Sequence, residues 1–178
     1  KYYEDILQRI PREEIDKHDL YLKGILKEID PTAEMTIAGS YRRGLSDSGD
    51  IDVLLKGDTK LYKQFIQVLE SKGYLYETLA KGAKKYNGMC KMDGFTIFRR
   101  IDIMITKPGE YPFAILYFTG SKEFNTKMRQ HALDLGYSMN EYSLTSTEDG
   151  TNIDENQFKV EKDIFKFLHL EYVDPSKR

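Results

Sequence analysis

The chain of 178 residues has little of what would mark it as secreted, membrane-spanning or repetitive. Its one cysteine, Cys90, excludes an intramolecular disulfide, fits a reducing compartment and is most simply a small buried residue on a strand. No apolar run is long enough to cross a bilayer, and no signal-peptide pattern is present. Internal repeats, low-complexity tracts and coiled-coil heptads are missing as well. We therefore expect a globular protein that is neither secreted nor bound in a membrane.

An excess of basic charge is also missing. The 27 lysines and arginines are offset by 29 aspartates and glutamates, so the formal net charge is −2. Any grip on nucleic acid must therefore come from local patches rather than from the overall charge. Hydrophobic residues make up 40% of the chain, enough for a core arranged as one compact unit or two small subdomains. Because the chain begins with Lys1 rather than methionine, we expect further sequence upstream.

Hydrophobic periodicity predicts alternating helices and strands in the first part of the chain. Apolar residues at helical spacing predict one helix over residues 11–29 and another around residues 61–69, ending near Gly73. Asp93-Gly94 predicts a tight hairpin between the last two strands. The predicted strands, which form a mixed sheet with an antiparallel extension, cover residues 35–38, 51–55, 74–79, 84–92 and 95–105.

The step Lys107-Pro108-Gly109 marks a change of character and the predicted boundary between two subdomains. Beyond it, the pattern predicts short strands near Tyr137 and Tyr142, and helices over residues 111–118, 124–135 and 161–168. The predicted fold class is therefore α/β in the α+β sense. A mixed sheet with helices occupies residues 1–107, and a small, mainly helical subdomain occupies residues 108–178.

One short stretch combines a glycine-serine loop with two alternating acids. It reads Gly39-Ser40-Tyr41-Arg42-Arg43-Gly44, followed by Ser48-Gly49-Asp50-Ile51-Asp52-Val53. Along a strand Asp50 and Asp52 point to the same face, where their like charges repel unless a cation or a shared proton relieves them. Magnesium or manganese suits such an all-oxygen site, which is typical of phosphoryl or nucleotidyl transfer. The alternative is a solvated face at a sheet edge, and the loop in front of the acids weighs against it.

Asp102 is an isolated acid in a predicted strand that otherwise reads as core. A buried charge is costly without a partner, so an acid in this position needs one. Two explanations stay open at this point. Asp102 pairs with Arg100 on the same strand face, or it reaches across the sheet to join Asp50 and Asp52.

These features resemble the nucleotidyltransferase superfamily and, in more detail, the family X DNA polymerases, the group that includes polymerases beta and lambda. The resemblance covers nearly the whole chain and rests on ordered motifs: Arg9-Ile10-Pro11-Arg12-Glu13-Glu14, the 39–52 block, Arg100-Ile101-Asp102, Leu116-Tyr117-Phe118-Thr119-Gly120-Ser121, Phe124-Asn125, Met128-Arg129, Asn140-Glu141-Tyr142 and Glu161-Lys162-Asp163-Ile164-Phe165. It implies a nucleotidyltransferase-fold palm, followed by a C-terminal subdomain that binds the nascent base pair.

The resemblance also implies a templated DNA polymerase of the repair type, which adds deoxynucleotides to a primer 3′-hydroxyl in short gaps. Asp50 and Asp52 would bridge two Mg²⁺ ions, with Mn²⁺ as a substitute. Asp102 would ligate the catalytic ion and help to accept the hydroxyl proton. The implied partners are primer-template or gapped DNA and deoxynucleoside triphosphates. We expect a monomer without a membrane partner, with lyase and helix-hairpin-helix segments upstream. Its location would be the nucleus in a eukaryote, and otherwise the cytoplasm or a viral factory or virion.

Other residues acquire nucleotide and DNA roles through the same resemblance. Tyr117 and Phe118 would lie against the sugar and crowd a ribose 2′-hydroxyl, which implies selection for deoxynucleotides. Asn125 and Arg129, four apart on one helical face, would probe the minor-groove edges of the base pair. The resemblance also implies a set of nucleotide-binding residues, in which amide, hydroxyl and guanidinium groups suit phosphate oxygens. This set is Arg9, Gly39, Ser40, Arg43, Ser48, Gly49, Tyr117, Phe118, Gly120 and Asn125. The implied DNA or template contacts are Arg100, Arg129 and Tyr142.

Several residues have plainer interpretations or depart from the family pattern. Arg42 fits a solvated turn as well as a phosphate contact, and a basic hairpin of Lys81, Lys84 and Lys85 fits solvent better than the template backbone. Lys122 and Met104 depart from the family, with Met104 standing where polymerase beta has an arginine. Core packing accounts for Phe124 and Met128 and for part of Phe118, and surface or packing roles account for His18, His131 and His169.

Two other functions compete with templated polymerisation. One is a template-independent or small-molecule nucleotidyltransferase. The connection between Cys90 and Arg99 argues against it, because this connection is too short for the long loop that supports untemplated addition in terminal transferase. The other is a non-catalytic DNA- or nucleotide-binding module of a larger repair protein. The intact set of three acids argues against this function, because a non-catalytic module has no need to hold three acids that repel one another.

Overall fold

A computed structural model of the protein describes residues 3–178. Its main sheet has the strand order β2-β4-β7-β6-β5, in which β4 and β7 run parallel and the other neighbours run antiparallel. The strands are β1 (Ile10–Pro11), β2 (Glu34–Ile37), β3 (Asp47–Ser48), β4 (Ile51–Lys56), β5 (Leu75–Lys81), β6 (Lys85–Cys90), β7 (Arg99–Thr106), β8 (Tyr137–Met139) and β9 (Leu144–Ser146). The α-helices are α1 (Tyr3–Ile6), α2 (Arg12–Ile29), α3 (Gly39–Arg42), α4 (Thr59–Ser71), α5 (Tyr111–Thr119), α6 (Lys122–Asp134) and α7 (Glu161–Phe167).

This architecture confirms the predicted mixed α/β fold. Helix α2 begins one residue after the predicted start and ends where predicted, and α4 extends two residues beyond each end of the predicted range 61–69. The side chain of Asp58 caps α4 by accepting a hydrogen bond from the Leu61 amide at 2.9 Å. No helix within residues 3–178 is both long and apolar enough to cross a membrane.

The two faces of the central strand β4 pack against different helices. Ile51, Val53 and Leu55 point into the largest hydrophobic cluster, which also contains buried residues of α2 and α4. Leu54 points the other way and packs with Tyr111 and Ala114 of α5. Because side chains alternate along a strand, Asp52 shares the Leu54 face and is turned away from the main core.

The C-terminal helices enclose a second hydrophobic cluster. Phe113 of α5, Met128 of α6 and Phe165 of α7 are among its buried members. A small third cluster, formed by Ala38 and Leu54 with residues of α5, joins the sheet to this region. The division of the chain at residue 107 stays a prediction.

The predicted tight hairpin at Asp93-Gly94 is wrong. Strand β6 ends at Cys90 and β7 begins at Arg99, and these two residues are register partners, so residues 91–98 form a longer connection. Asp93-Gly94 does form a turn, with Gly94 at a φ of 87°. Asp93-Gly94 therefore predicts the turn correctly. It does not predict whether the residues on either side of the turn pair with each other as strands.

Candidate active site

Three acids from two neighbouring strands meet on the face of the sheet that is turned away from the main core. Asp50 immediately precedes β4, Asp52 is its second residue, and Asp102 is the register partner of Asp52 on β7. One carboxylate oxygen of each of the three residues lies within 4.8 Å of the other two. Of the two explanations for Asp102, the structure therefore supports the one in which it joins the other acids.

Burial and the closeness of the carboxylates raise the pKa values of Asp52 and Asp102. Burial, followed by the charges of Asp50 and Asp102, raises the pKa of Asp52 to about 7. Burial and then the charge of Asp50 also raise the pKa of Asp102. The positive charge of Lys85 opposes both shifts. Near neutral pH Asp52 is therefore only partly ionised unless a cation offsets the charge of the cluster.

The donor set fits a divalent metal ion. All the donors are carboxylate oxygens, the ligands that Mg²⁺ and Mn²⁺ prefer. The mutual repulsion that raises the pKa values is relieved when positive charge enters the cluster. Asp50, Asp52 and Asp102 are thus suited to hold such ions.

Gly39 allows the preceding loop to approach the acids closely. Its φ is +65°, and a methyl group in place of its hydrogen would lie 2.7 Å from Asp52 Oδ2. The neighbouring Ala38 amide donates to the Asp52 carbonyl oxygen at 2.8 Å. The glycine is therefore required by both backbone conformation and space, as expected of a residue in direct contact with the site.

The loop residues predicted to bind phosphate form a connected group beside the acids. Ser40 Oγ donates to Ser48 Oγ at 2.6 Å, which ties the loop to strand β3. Strand β3 pairs with β1, and this pairing brings Arg9 over Gly49, where a methyl group would lie 3.3 Å from the arginine Nη1. Arg9 itself donates to Asp47 Oδ1 through Nε at 3.2 Å and through Nη2 at 3.0 Å.

Arg43 links this loop to the C-terminal part of the chain. Its Nη1 donates to the Thr119 carbonyl oxygen at 2.7 Å, and the same atom would lie 3.1 Å from a methyl group at Gly120. Two residues of the predicted nucleotide set, Arg43 and Gly120, are thus brought together although they lie far apart in sequence.

Tyr117 organises the predicted base-pair contacts of α6. Asn125 Nδ2 donates to the Tyr117 carbonyl oxygen at 2.8 Å, and the Arg129 guanidinium lies over the Tyr117 ring at 4.7 Å from its centroid. The Tyr117 and Phe118 rings meet edge to face at 4.9 Å. The predicted sugar and minor-groove residues therefore form one contiguous group.

A cavity of about 810 Å³ opens beside these aromatic residues. Tyr117, Phe118 and the exposed Tyr142 line it, as do Lys84 and Lys85 at the start of β6. Lys81 instead pairs with Glu70 at 2.8 Å. Contact of Tyr142 with a template strand stays a prediction, as does the preference of these lysines for solvent.

Arg42 does not lie in a solvated turn, and that alternative is wrong. Its Nη2 donates to Glu161 Oε1 at 2.5 Å, and its Nη1 donates to Thr119 Oγ1 at 2.8 Å. Glu161 is buried and also accepts from Arg178 Nη1 at 2.7 Å. The guanidinium of Arg42 is therefore committed to a bridge between the loop and α7, which local sequence around residue 42 could not reveal.

Sequence reasoning missed the partner of Asp102. The side-chain amide of Asn87 on β6 donates to Asp102 Oδ1. Arg100 is on the same strand as Asp102 and lowers its pKa by its charge, but the two form no ion pair among residues 3–178. The only signal in the sequence was that Asn87 is a polar residue in a strand. Asn87 can be recognised as the partner of Asp102 only when the register between the two strands is known.

The remaining polar predictions concern packing. His18 is fully buried, where its Nδ1 is hydrogen-bonded to the Tyr74 hydroxyl at 2.7 Å. Burial raises the pKa of the Cys90 thiol to about 12, so the thiol stays protonated and unreactive near neutral pH. Met128 is buried as predicted, and Phe124 packs partly buried against the same cluster.

A mixed sheet that presents three clustered carboxylates next to a glycine-serine loop is the arrangement of a nucleotidyltransferase-type palm. The family model described as DNA polymerase beta palm matches residues 9–108, and the one described as DNA polymerase beta thumb matches residues 114–178. The chain belongs to the family X DNA polymerases.

Individual relatives agree with this family. The chain is 32% identical over 196 residues to DNA polymerase lambda of Rattus norvegicus, and 27% identical over 200 residues to DNA polymerase lambda of Arabidopsis thaliana, with 100% of the chain aligned in both cases. It is 26% identical over 218 residues to the DNA nucleotidylexotransferase of Xenopus laevis, with 99% of the chain aligned. The alignments cover 34%, 38% and 42% of these relatives, so the chain spans well under half of their length.

Proposed function

We propose that the chain is the catalytic part of a template-directed DNA polymerase that fills short gaps during repair by adding deoxynucleotides to a primer 3′-hydroxyl. The observation that carries this proposal is the convergence of Asp50, Asp52 and Asp102 within 4.8 Å on one sheet face. The similarity to polymerase lambda over the whole chain supports the same substrate class.

The family resemblance assigns different roles to the three clustered acids. Asp50 and Asp52, from one strand, would hold two divalent ions, Mg²⁺ with Mn²⁺ as a substitute, and Asp102 would share only the ion next to the primer. Ions bound there supply Lewis acidity, which lowers the pKa of the attacking hydroxyl and offsets charge on the phosphates. The raised pKa of Asp102 suits it to accept the hydroxyl proton.

The neighbouring groups would bind and orient the nucleotide. Ser40, Ser48 and the backbone at Gly49 line the loop beside Asp50, and Arg9 and Arg43 add guanidinium donors for phosphate oxygens. Tyr117, with Phe118 against it, would exclude a ribose 2′-hydroxyl. Asn125 and Arg129, both held against Tyr117, would test the shape of the new base pair, and Gly120, Arg100 and Tyr142 would complete the nucleotide and template contacts.

The wider setting of the activity is part of the same proposal. A monomer would act on primer-template or gapped DNA, with lyase and helix-hairpin-helix segments elsewhere in the same protein supplying much of the DNA grip. The near-neutral net charge of −2 supports this division of labour. A nuclear location follows if the protein is eukaryotic.

Primer extension on DNA with a one-nucleotide gap tests the proposal. With Mg²⁺ the wild-type chain should add the templated deoxynucleotide, and Asp102→Ala should not. Equal extension by both proteins would overturn the catalytic assignment. If neither protein extends the primer, calorimetric titration with nucleotide, with and without metal, separates weak DNA binding from a dead site, since only a working site shows metal-dependent binding.

A second candidate is template-independent addition, which the similarity to the Xenopus laevis DNA nucleotidylexotransferase brings into view. The connection between β6 and β7, residues 91–98, is short, and this favours templated synthesis. Extension of a single-stranded primer without regard to any template base would support the second candidate instead. A chain that binds nucleotide or DNA but never transfers would be the third alternative, a binding module.

A further inference from the structure

Asn87 lies opposite Asp102 in the sheet. Strands β6 and β7 run antiparallel, and Asn87 and Asp102 are register partners, so their side chains leave the sheet on the same face. The side-chain Nδ2 of Asn87 donates to Asp102 Oδ1. Asn87 is thus a direct neighbour of the cluster of three acids without being one of its members.

The surrounding strand holds Asn87 in this position. Its neighbour Tyr86 is fully buried, with its hydroxyl hydrogen-bonded to Thr78 at 3.1 Å. Its other neighbour, Gly88, lies so close to β5 that a methyl group there would be 2.5 Å from the Glu77 carbonyl oxygen. Asn87 therefore projects from a backbone that is fixed on both sides, which limits the directions its amide can take.

The chemistry of an amide suits this place better than that of a cation. An amide N–H bond to a carboxylate favours the ionised acid and fixes the plane of the carboxylate group. Being neutral, the amide does not add a positive charge that would repel an incoming metal ion. Asn87 engages only Oδ1, so its hydrogen bond leaves Oδ2 of Asp102 for a ligand role.

We propose that Asn87 is a positioning residue for Asp102, which orients this carboxylate so that Oδ2 faces the metal-binding side of the cluster. This inference rests on the proposed function, because it assigns to Asp102 a role in holding a divalent ion. It extends that function to a residue on β6, a strand that contributes none of the three acids.

Three substitutions at Asn87 isolate the hydrogen bond. Asn87→Leu has nearly the same size but no donor, and Asn87→Val removes the donor with a side chain that suits a strand. Asn87→Gln keeps an amide donor. Asn152→Leu, an exposed position in the C-terminal region, is the control for the same chemical change at a distance from the acids.

Mn²⁺ binding, followed by electron paramagnetic resonance without DNA or nucleotide, gives a readout that does not depend on catalysis. Loss of a hydrogen bond to a charged acceptor predicts roughly tenfold weaker Mn²⁺ binding in the Leu and Val variants. Single-turnover extension should slow by a similar factor, whereas the KM for deoxynucleotide should change less than about twofold. Asn87→Gln should recover most of the affinity, and Asn152→Leu should match the wild type.

The outcome separates this inference from the function on which it rests. If Asp102→Ala weakens Mn²⁺ binding but Asn87→Leu and Asn87→Val leave affinity and rate unchanged, the positioning role is wrong while the proposed function stands. If Asp102→Ala also leaves Mn²⁺ binding unchanged, the proposed metal site itself is wrong. Thermal melting of each variant identifies any that fails to fold, and the other donor-removing variant then provides the comparison with the wild type.

Discussion

Asp52 and Asp102 are register partners on the parallel strands β4 and β7, and the charge of Asp102 raises the energetic cost of ionising Asp52. Parallel neighbours lie about 4.8 Å apart, so two carboxylates on the same face cannot avoid one another. Asp50 adds a third charge to the same face. The cluster therefore opposes folding in the absence of a cation, and a bound cation turns the same acids into ligands.

Removing one acid should stabilise the metal-free protein and weaken its response to metal. Asp52→Asn relieves the repulsion, so its free energy of unfolding without metal should rise by about 1 kcal/mol or more at neutral pH. A cation at about 100 times its Kd should stabilise the wild type by about 2.7 kcal/mol and the variant much less. Chemical denaturation with EDTA and with Mg²⁺ measures both effects. An equal response to Mg²⁺ in the two proteins would contradict the assignment of Asp52 as a ligand.

Gly39→Ala should damage the site more than an alanine at an ordinary positive-φ glycine. Both Gly39 and Gly73 have positive φ, +65° and +74°, but only at Gly39 would the new methyl group meet Asp52 Oδ2, at 2.7 Å. The conformational cost, about 1 kcal/mol, should be common to the two variants. Metal-dependent nucleotide binding should fall about tenfold or more only in Gly39→Ala, a difference that calorimetry measures. Similar nucleotide affinity in both variants would show that the approach of this loop to Asp52 is unimportant.

Glu161→Gln should destabilise the protein strongly, because it leaves two guanidinium groups without their shared carboxylate. Glu161 and the side chain of Arg178 are buried, and Arg42 is largely so. Breaking a buried ion pair from one side typically costs about 3–5 kcal/mol. The exposed pair Glu123–Lys127 gives a matched control, since Glu123→Gln should change stability by less than about 0.5 kcal/mol. Urea unfolding of the two variants checks this, and comparable losses would refute the bridging role of Glu161.

Acid should unfold the protein partly through Glu14. Burial tends to raise its pKa, but hydrogen bonds from Arg99 and His18 outweigh this and lower the pKa from 4.5 to about 2. Because the folded form binds the proton more weakly than the unfolded form, the stabilisation is complete above pH 4.5 and is lost as the pH falls toward 2. The loss should be on the order of 2–3 kcal/mol.

Unfolding curves between neutral pH and strong acid measure this effect. Glu14→Gln should be less stable than the wild type at neutral pH, and its stability should depend less on pH in the acid range. Glu13→Gln, at an exposed neighbour on α2, should keep the wild-type pH profile. A Glu14→Gln profile parallel to that of the wild type would contradict the assignment.

The fold could be predicted largely from local pattern. Helical spacing of apolar residues located α2 and α4, and short apolar runs located β2 and β4, because both signals depend on residues a few positions apart. The connection after β6 was predicted less well. Asp93-Gly94 signals a turn, but the point at which pairing stops depends on the partner strand.

The acidic cluster was predictable in part. Asp50 and Asp52 are two residues apart at the start of β4, so the alternation expected of a strand places them together. Asp102 lies about 50 residues later, and its position beside Asp50 and Asp52 could be inferred only through a family resemblance, not from spacing. Its bond to Asn87 and the bridge from Arg42 to Glu161 went unpredicted, because each joins segments that become neighbours only after folding.

Local spacing and ordered motifs are enough to identify the palm-type α/β fold, the glycine-serine loop, the alternating acids and membership of family X. Tertiary structure alone decided which strands lie side by side. Register between β4 and β7 sets Asp102 against Asp52, and register between β6 and β7 sets Asn87 against Asp102. The physical reason is that a charge acquires its partner and its pKa from distances of a few ångströms across the sheet, whatever the separation along the chain.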